Sequence, residues 1–130
     1  MYGLNKIKKA EKELEIIALT DPTIVYHQLS NVLQNKGIKF TLGQETFLQL
    51  DAWLLKNDNS MILGAVDSDG KIYASIYLVF DGEVAYSLMI GSDLSLRHNG
   101  SVPFVIYQAI LEVQKRCKRF DFEGSMLVGV

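Results

Sequence analysis

The sequence contains few of the residues that build metal centres, disulfide frameworks or unstructured linkers. It has one cysteine, two histidines and two prolines among 130 residues. Cys117 therefore cannot form an internal disulfide, and the histidines and the cysteine lack the spacing of zinc ligands. These shortages predict a reduced, cytoplasmic protein with no metal site and no tightly bound cofactor.

Long hydrophobic runs and a large excess of one charge are also missing. The longest apolar runs have the length of strands, well below the roughly 20 residues that a membrane helix needs. Met1–Leu14 is polar and rich in lysine, unlike the apolar segment of a signal peptide. The formal net charge of −2 argues against nucleic acid as a general electrostatic partner. We therefore expect no membrane segment and no broad nucleic-acid surface.

The residues that are present have the composition of an ordinary globular domain. They are 48% hydrophobic and 22% charged, without repeats or a linker-like stretch. A chain of this length should bury about two-thirds of its unfolded surface, which is enough for a core without metals or disulfides. We expect residues 1–130 to form one domain.

Helix signals dominate the first half of the chain. Lys6–Leu14 is predicted to be a short helix, and Glu15–Leu19 a strand. Asp21 can cap a helix that has Pro22 in its first position and ends at Gly37.

A further helix is predicted after residue 40. Thr41 and Gln44 have the spacing of a capping box. Phe47, Leu50 and Leu54 then form its predicted buried face.

The hydrophobic period changes from 3.6 to 2 after residue 57. Met61–Val66, Lys71–Phe80 and Val84–Ile90 alternate as strands do, and Asp81-Gly82 is a tight hairpin signal. A two-residue turn joins neighbouring strands, so these segments should form an antiparallel meander.

The last part of the chain predicts a change of strand direction. A helix over Pro103–Cys117 leads to a strand over Phe120–Glu123, and such βαβ crossovers join parallel strands. The sequence therefore predicts an α/β (α+β) fold. Its mixed sheet has an antiparallel meander, one parallel crossover and helices on both faces. A ligand crevice should lie at the parallel step.

The loop before the last helix is the first candidate site. Arg97, Gly100 and Ser101 lie where a helix N-terminus offers unpaired amides, an arrangement that suits phosphate. The alternative is that Ser101 simply caps the helix while Arg97 is solvated.

The last strand and its neighbour carry the second candidate site. Asp121 and Glu123 share one face of the strand, and burying two carboxylates there is costly unless the face opens into a cleft. A general base, an amine binder and a structural carboxylate all fit. On the neighbouring strand, Tyr86 and Ser87 could offer a hydroxyl to a leaving group, or could simply pack.

Five stretches, spread in order over nearly the whole chain, resemble the Fem-type branch of the GNAT acyltransferase superfamily. That branch includes the peptidoglycan-bridge aminoacyltransferases and many bacterial acetyltransferase-like proteins. The most specific stretch is the Phe-Asp-Phe-Glu-Gly-Ser-Met run near the end. The five are Asn5–Lys12, Asp21-Pro22, Val84–Tyr86, Tyr107–Ile110 and Phe120–Met126.

The resemblance implies a GNAT fold in which the last two strands splay apart around an acyl donor, either acyl-CoA or aminoacyl-tRNA. An amine would attack the donor's carbonyl directly, without a covalent enzyme intermediate. Glu123 and Tyr86 are then the candidate catalytic residues. The implied donor-binding residues are Met89, Ile90, Arg97, Gly100 and Ser101.

Three departures from the family pattern accompany the resemblance. Val102 stands where the phosphate loop usually has a small residue. The chain holds one domain, whereas Fem-type proteins commonly have two. Seven residues follow Glu123, too few for the final helix and strand pair.

These departures leave two alternatives to a transferase open: a non-catalytic binding or assembly module, and a truncated relic. A final strand without a successor would also expose a sheet edge. The sequence therefore predicts a homodimer formed through that edge.

Overall fold

The computed structural model describes residues 2–96, 98 and 100–121 of the chain. They form four helices and five strands. In chain order these are α1 (Tyr2–Glu13), β1 (Glu15–Ala18), α2 (Pro22–Asn35), α3 (Gln44–Lys56), β2 (Ser60–Val66), β3 (Ile72–Asp81), β4 (Val84–Ser92), α4 (Ser101–Gln114) and β5 (Arg119–Asp121).

The strands form one sheet in the order β1-β2-β3-β4-β5. The first four are antiparallel neighbours, whereas β5 runs parallel to β4, with Val84 opposite Arg119 and Tyr86 opposite Asp121. The predicted meander and the predicted parallel crossover are both confirmed. The fold is the expected mixed α/β arrangement.

Helices cover both faces of this sheet, because the central strands have apolar side chains on each side. Ile76 and Leu78 of β3 pack in one core with α1 and α4, through residues such as Ala10 and Ala109. On the other face Tyr77 packs in a second core with α2 and α3. In the part of the chain that the structure describes, no helix has the length and apolarity to cross a membrane.

Helix α2 begins and ends as its sequence predicts. Asp21 is its N-cap, and the Asp21 Oδ1 accepts from the backbone N–H of Thr23 at 2.9 Å and from the Thr23 hydroxyl at 2.6 Å. Pro22 occupies the first helical position, and Gly37 has a φ of +72° just after the helix. Glycine adopts this left-handed conformation without steric cost.

The predicted start of α3 is wrong. Gly43, not Thr41, is the N-cap, so Gln44 is the first helical residue and cannot reach back from the third position as a capping box requires. Phe47 is buried as predicted, but Leu50 is 38% exposed. Leu50 lies at the margin of the buried arc, because α3 makes only a narrow contact with the sheet.

The last helix also differs in detail. Gly100 is the N-cap of α4, so Ser101 is its first residue and Pro103 its third. The helix ends at Gln114, before Cys117, although that thiol is still buried. Residues 122–130, with the predicted base Glu123, lie outside the described residues. The homodimer expected from the final sheet edge therefore stays a prediction.

We expect that replacing Asp21 with alanine lowers the free energy of unfolding by about 1 kcal/mol, because the first turn of α2 loses its cap. Asp21→Asn is the matched control, since asparagine caps about as well as aspartate. Urea unfolding at neutral pH measures both variants, and equal losses in the two would contradict the capping role.

The same cap should depend on pH. The hydrogen bond from the Thr23 hydroxyl lowers the pKa of Asp21 below its ordinary 3.8. A lowered pKa in the folded state means that the stabilisation is present above the unfolded value and is lost as the pH falls through the folded value. The difference in the free energy of unfolding between wild type and Asp21→Ala should therefore become smaller below about pH 4. A difference that is constant or wider at pH 3 would refute this.

Candidate functional site

The structure describes the beginning of the parallel step between β4 and β5. The described pairing covers Val84 to Tyr86 on β4, whereas β4 continues to Ser92. Antiparallel pairing with β3 continues over most of this length. Among the described residues, the last part of β4 is thus paired with β3 alone. The crevice that the sequence places at the parallel step stays a prediction.

A β-bulge interrupts β4 at the beginning of this part. Leu78 pairs with Ser87 and Tyr77 pairs with Met89, so Leu88 is an extra residue in β4. Bulges strengthen the local twist and are frequent next to functional sites.

Two predicted donor-binding residues follow the bulge. The side chain of Met89 is buried in the core beneath α2 and α3, and that of Ile90 in the core beneath α4. Only their backbone could therefore face a ligand, which is the role that the sequence analysis gives them.

Tyr86 belongs to the last described β4–β5 pair, and Ser87 follows it with its side chain on the opposite face of the sheet. Tyr86 is half-buried. Ser87 has no exposed surface, and its Oγ has no hydrogen-bond partner among the described residues. Of the other predicted site residues, Glu123 and Arg97 lie outside the described part of the chain.

Helix α2 makes an unusually close contact with the end of β4. A Cβ atom at Gly91 would lie 2.6 Å from the Cβ of Gln28 and 2.8 Å from the backbone N of Leu29, so only glycine fits. Gln28 Nε2 donates to the Ile72 carbonyl at 3.1 Å, and its Oε1 accepts from the Ser75 hydroxyl at 2.6 Å. The sequence analysis missed Gln28. The available signal was a polar residue on the buried side of α2.

The start of α4 is already hydrogen-bonded within the protein. The Gly100 N–H donates to Nδ1 of His98 at 3.2 Å, while the Ser101 N–H and hydroxyl both donate to the His98 carbonyl, at 3.2 and 3.1 Å. Because Nδ1 accepts, Nε2 carries the proton and donates to Glu13 Oε2 at 2.7 Å. Pro103 has no N–H. The first turn therefore has few spare donors for an anion.

Helix α1 also contacts the start of α4. A Cβ at Gly100 would clash with the Lys6 carbonyl oxygen and would lie 3.2 Å from the Cβ of Ala10. The glycine at position 100 is predicted to let backbone amides approach a ligand, whereas in the structure its missing side chain makes room for α1. Ligand contacts of the Gly100 and Ser101 amides stay a prediction, and they require these amides to exchange partners.

A cleft of about 520 Å³ lies beside this loop. It contains an acidic residue, Asp93, whose Oδ1 accepts from the backbone N–H of Ser95 at 2.9 Å and from its hydroxyl at 2.6 Å. Val102, the branched residue in the phosphate-loop pattern, also contributes to the wall. The lining residues are Asn35, Ser92, Asp93, Leu94, Leu96, His98, Ser101 and Val102.

Two tyrosines near the site are structural. The Tyr73 hydroxyl donates to Asp67 Oδ2 at 3.0 Å, and this bond raises the pKa of Tyr73. Burial raises the pKa of Tyr77, and its hydroxyl donates to Asp51 at 2.6 Å. Neither can exchange a proton readily near neutral pH. The described residues contain no His, Cys, Asp and Glu group suited to a metal ion.

Comparison with solved structures identifies this architecture. No protein-family model and no curated protein matches the sequence. A predicted acetyltransferase from Clostridium acetobutylicum, solved with acetyl-CoA, is 15% identical and has a TM-score of 0.68 over 88% of this chain and 82% of its own. The fold is that of the GNAT acetyltransferases.

Two further structures agree. An aminoglycoside acetyltransferase from an uncultured soil metagenomic sample, in complex with sisomicin, is 17% identical, with a TM-score of 0.64 over 87% of this chain and 78% of its own. A GNAT family acetyltransferase from Staphylococcus aureus is 11% identical, with a TM-score of 0.58 over 85% of this chain and 86% of its own. At such identities the likeness shows the GNAT fold alone, so the Fem-type branch stays a prediction.

The close contact between α1 and Gly100 can be tested by substitution. Gly100→Ala should lower the free energy of unfolding by about 1–3 kcal/mol more than Gly43→Ala, because an extra methyl group forces packed backbone apart. Both glycines are helix N-caps, so both variants share the capping cost, but a Cβ at Gly43 meets nothing closer than 4.0 Å. Chemical denaturation compares them. Equal losses of unfolding free energy in the two variants would show that α1 does not pack tightly against Gly100.

Proposed function

We propose that this chain is an acyltransferase that transfers an acyl group from an acyl-CoA donor to an amine. The observation that carries the proposal is the parallel β4–β5 pair, which lies next to a bulge in β4 at Leu88. The chain has the same overall fold as a predicted acetyltransferase that was solved with acetyl-CoA. A donor lying along the last part of β4 would find a strand edge fixed by β3 on its other side.

The proposed reaction is a direct acyl transfer. The amine nitrogen attacks the thioester carbonyl carbon, the carbon–sulfur bond breaks, and sulfur leaves with the bonding electron pair. The amine proton passes to a base, for which we propose Glu123, and the Tyr86 hydroxyl can protonate the departing sulfur. Tyr86 suits this role because it is half-buried at the last described β4–β5 pair.

We further propose that the backbone of Met89 and Ile90 faces the donor. Their side chains are locked into opposite cores, so this part of the strand cannot easily turn or shift. Backbone amides fixed in advance stabilise the charge that develops on a reacting carbonyl oxygen without reorganisation cost.

The donor's phosphates are proposed to bind at the cleft beside the β4–α4 loop, with Arg97 as the cationic contact. The amides of Gly100 and Ser101 could join only by leaving His98. The carboxylate of Asp93 and the branched side chain of Val102 in the cleft oppose tight phosphate binding. We therefore expect weak binding of CoA.

An acyl-CoA donor is favoured over aminoacyl-tRNA by two observations. The Clostridium structure contains acetyl-CoA, and the net charge of −2 disfavours a large polyanion. The acceptor is proposed to be an amine because the soil acetyltransferase is an aminoglycoside acetyltransferase. A non-catalytic module is the second candidate, and the internal hydrogen bonds at the start of α4 favour it.

Titration calorimetry with acetyl-CoA tests the donor site. We expect the wild type to bind, and Arg97→Ala to bind roughly tenfold more weakly, since it loses a charge-assisted hydrogen bond. Lys118→Ala is the matched control. It removes the same charge at the opposite end of β4, where Lys118 Nζ lies 3.1 Å from Glu83 Oε1.

Three outcomes would contradict the proposal. Absence of wild-type binding at millimolar acetyl-CoA excludes this donor. If Arg97→Ala and Lys118→Ala lower the affinity for acetyl-CoA equally, the loss reflects the net charge of the protein and not a contact of Arg97. Binding without any release of free thiol in the presence of amines favours the non-catalytic module.

A further inference from the structure

Helix α3 carries apolar side chains on more of its surface than it buries. Phe47 and Leu54 are buried against the rest of the domain. Three other large apolar residues of the helix, Leu50, Trp53 and Leu55, are 38%, 60% and 66% exposed. A helix with apolar residues on several sides is normally covered on several sides. A single copy of the chain therefore leaves part of α3 open to a further contact.

Leu50 and Trp53 lie on the side of α3 that faces away from α2. Successive helical residues are about 100° apart, so Thr46, Leu50 and Trp53 form one stripe at positions i, i+4 and i+7. Gln44 is on the other side of the helix, where its Oε1 lies 3.4 Å from Nε2 of His27 in α2. Because α2 packs on β3 and β4 and α3 packs on β2, the stripe faces the β1 edge of the sheet.

Strand β1 adds to the apolar surface on this side. Ile16 packs in the core with α1 and α4, so the next side chain, that of Ile17, points to the α3 side of the sheet. Ile17 is 40% exposed, and β1 is the outermost strand of the described sheet. We call Ile17, Thr46, Leu50 and Trp53 the α3–β1 surface.

Two charged residues border the stripe near opposite ends of α3. Glu45 is in the first turn and Lys56 is the last residue, and both are exposed on the solvent side of the stripe. Neither forms an ion pair in the part of the chain that the structure describes.

These positions make α3 complementary to itself. If two copies of the helix pack antiparallel about a two-fold axis, Leu50 of each copy lies beside Trp53 of the other, and Glu45 lies near Lys56 of the other. A parallel pair would leave Glu45 and Lys56 of the two copies at opposite ends. The charges therefore favour a second copy in the antiparallel orientation.

We propose that the α3–β1 surface binds a second copy of this chain, with the two α3 helices antiparallel. This contact lies at the opposite edge of the sheet from β5, so it differs from the dimer that the sequence predicts. It does not depend on the proposed function. Because the apolar surface is small for a protein interface, we expect a weak dimer with a Kd of about 10–100 µM.

Sedimentation equilibrium of the full chain, from about 5 to 500 µM, measures this association. Trp53→Glu places a charge in the apolar stripe and should raise the Kd about tenfold or more. Leu55→Glu is the matched control. Leu55 is a similarly exposed residue of the same helix, about 160° around it from Trp53, so this variant should associate like the wild type. Far-UV circular dichroism of the dilute proteins checks that both variants keep the fold.

Mixing two charge variants tests the register of the helices. Glu45→Lys and Lys56→Glu should each raise the Kd about three- to tenfold, because like charges then meet at both symmetric pairs. In a dimer of one copy of each variant, both pairs again have opposite charges. An equimolar mixture should therefore associate about as well as the wild type.

Three outcomes would refute the inference. A wild type that stays monomeric at about 500 µM does not bind a second copy, whether or not another segment covers the surface. A dimer that Leu55→Glu weakens as much as Trp53→Glu is not formed through the α3–β1 surface. A mixture of the charge variants that associates no better than either variant alone excludes the antiparallel pair.

Discussion

The contact between α2 and the end of β4 is the constraint on which the rest of the site depends. The backbone of α2 approaches Gly91 so closely that no side chain fits between them, and Gln28 ties the helix to two residues of β3. This contact, together with the pairing to β3, fixes the last part of β4. It also places the end of α2 at the cleft beside the β4–α4 loop, where Asn35 forms part of the wall. The end of β4 is thus held by α2 on one face and by β3 along one edge.

The start of α4 shows a different balance between fold and function. Helix N-termini attract anions because their first amides are unpaired. Here His98 satisfies the amides of Gly100 and Ser101, Glu13 orients His98, and the backbone of α1 contacts Gly100. The domain therefore stabilises this turn with its own groups, and a phosphate would have to compete with them.

Local and periodic signals account for what the sequence predicted. The Asp81-Gly82 turn and the alternation around it define the meander, one helix-length connection defines the parallel strand, and the Asp21 cap defines the start of α2. The capping-box prediction at Thr41 was wrong because Gly43, two residues later, still has an extended backbone and is itself the N-cap. Other features leave no local trace. The hydrogen bond between His98 and Glu13 joins residues 85 positions apart in the sequence. A glycine at position 100 indicates that something approaches the backbone closely, but the sequence does not distinguish a ligand from a helix.

The bulge in β4 has a consequence for how the strand is built. Ser87 pairs with Leu78 and Met89 with Tyr77, so a β4 without Leu88 would keep every one of these partners and would alternate regularly between the two cores. The meander therefore does not need Leu88 for its pairing. In effect β4 is a regular strand with one residue inserted directly after Ser87. Leu88 itself packs against the core beneath α2 and α3. Removing this residue would keep the register of the meander but would take one partly buried side chain away from that core, so the bulge and part of the packing beneath α2 come from the same residue.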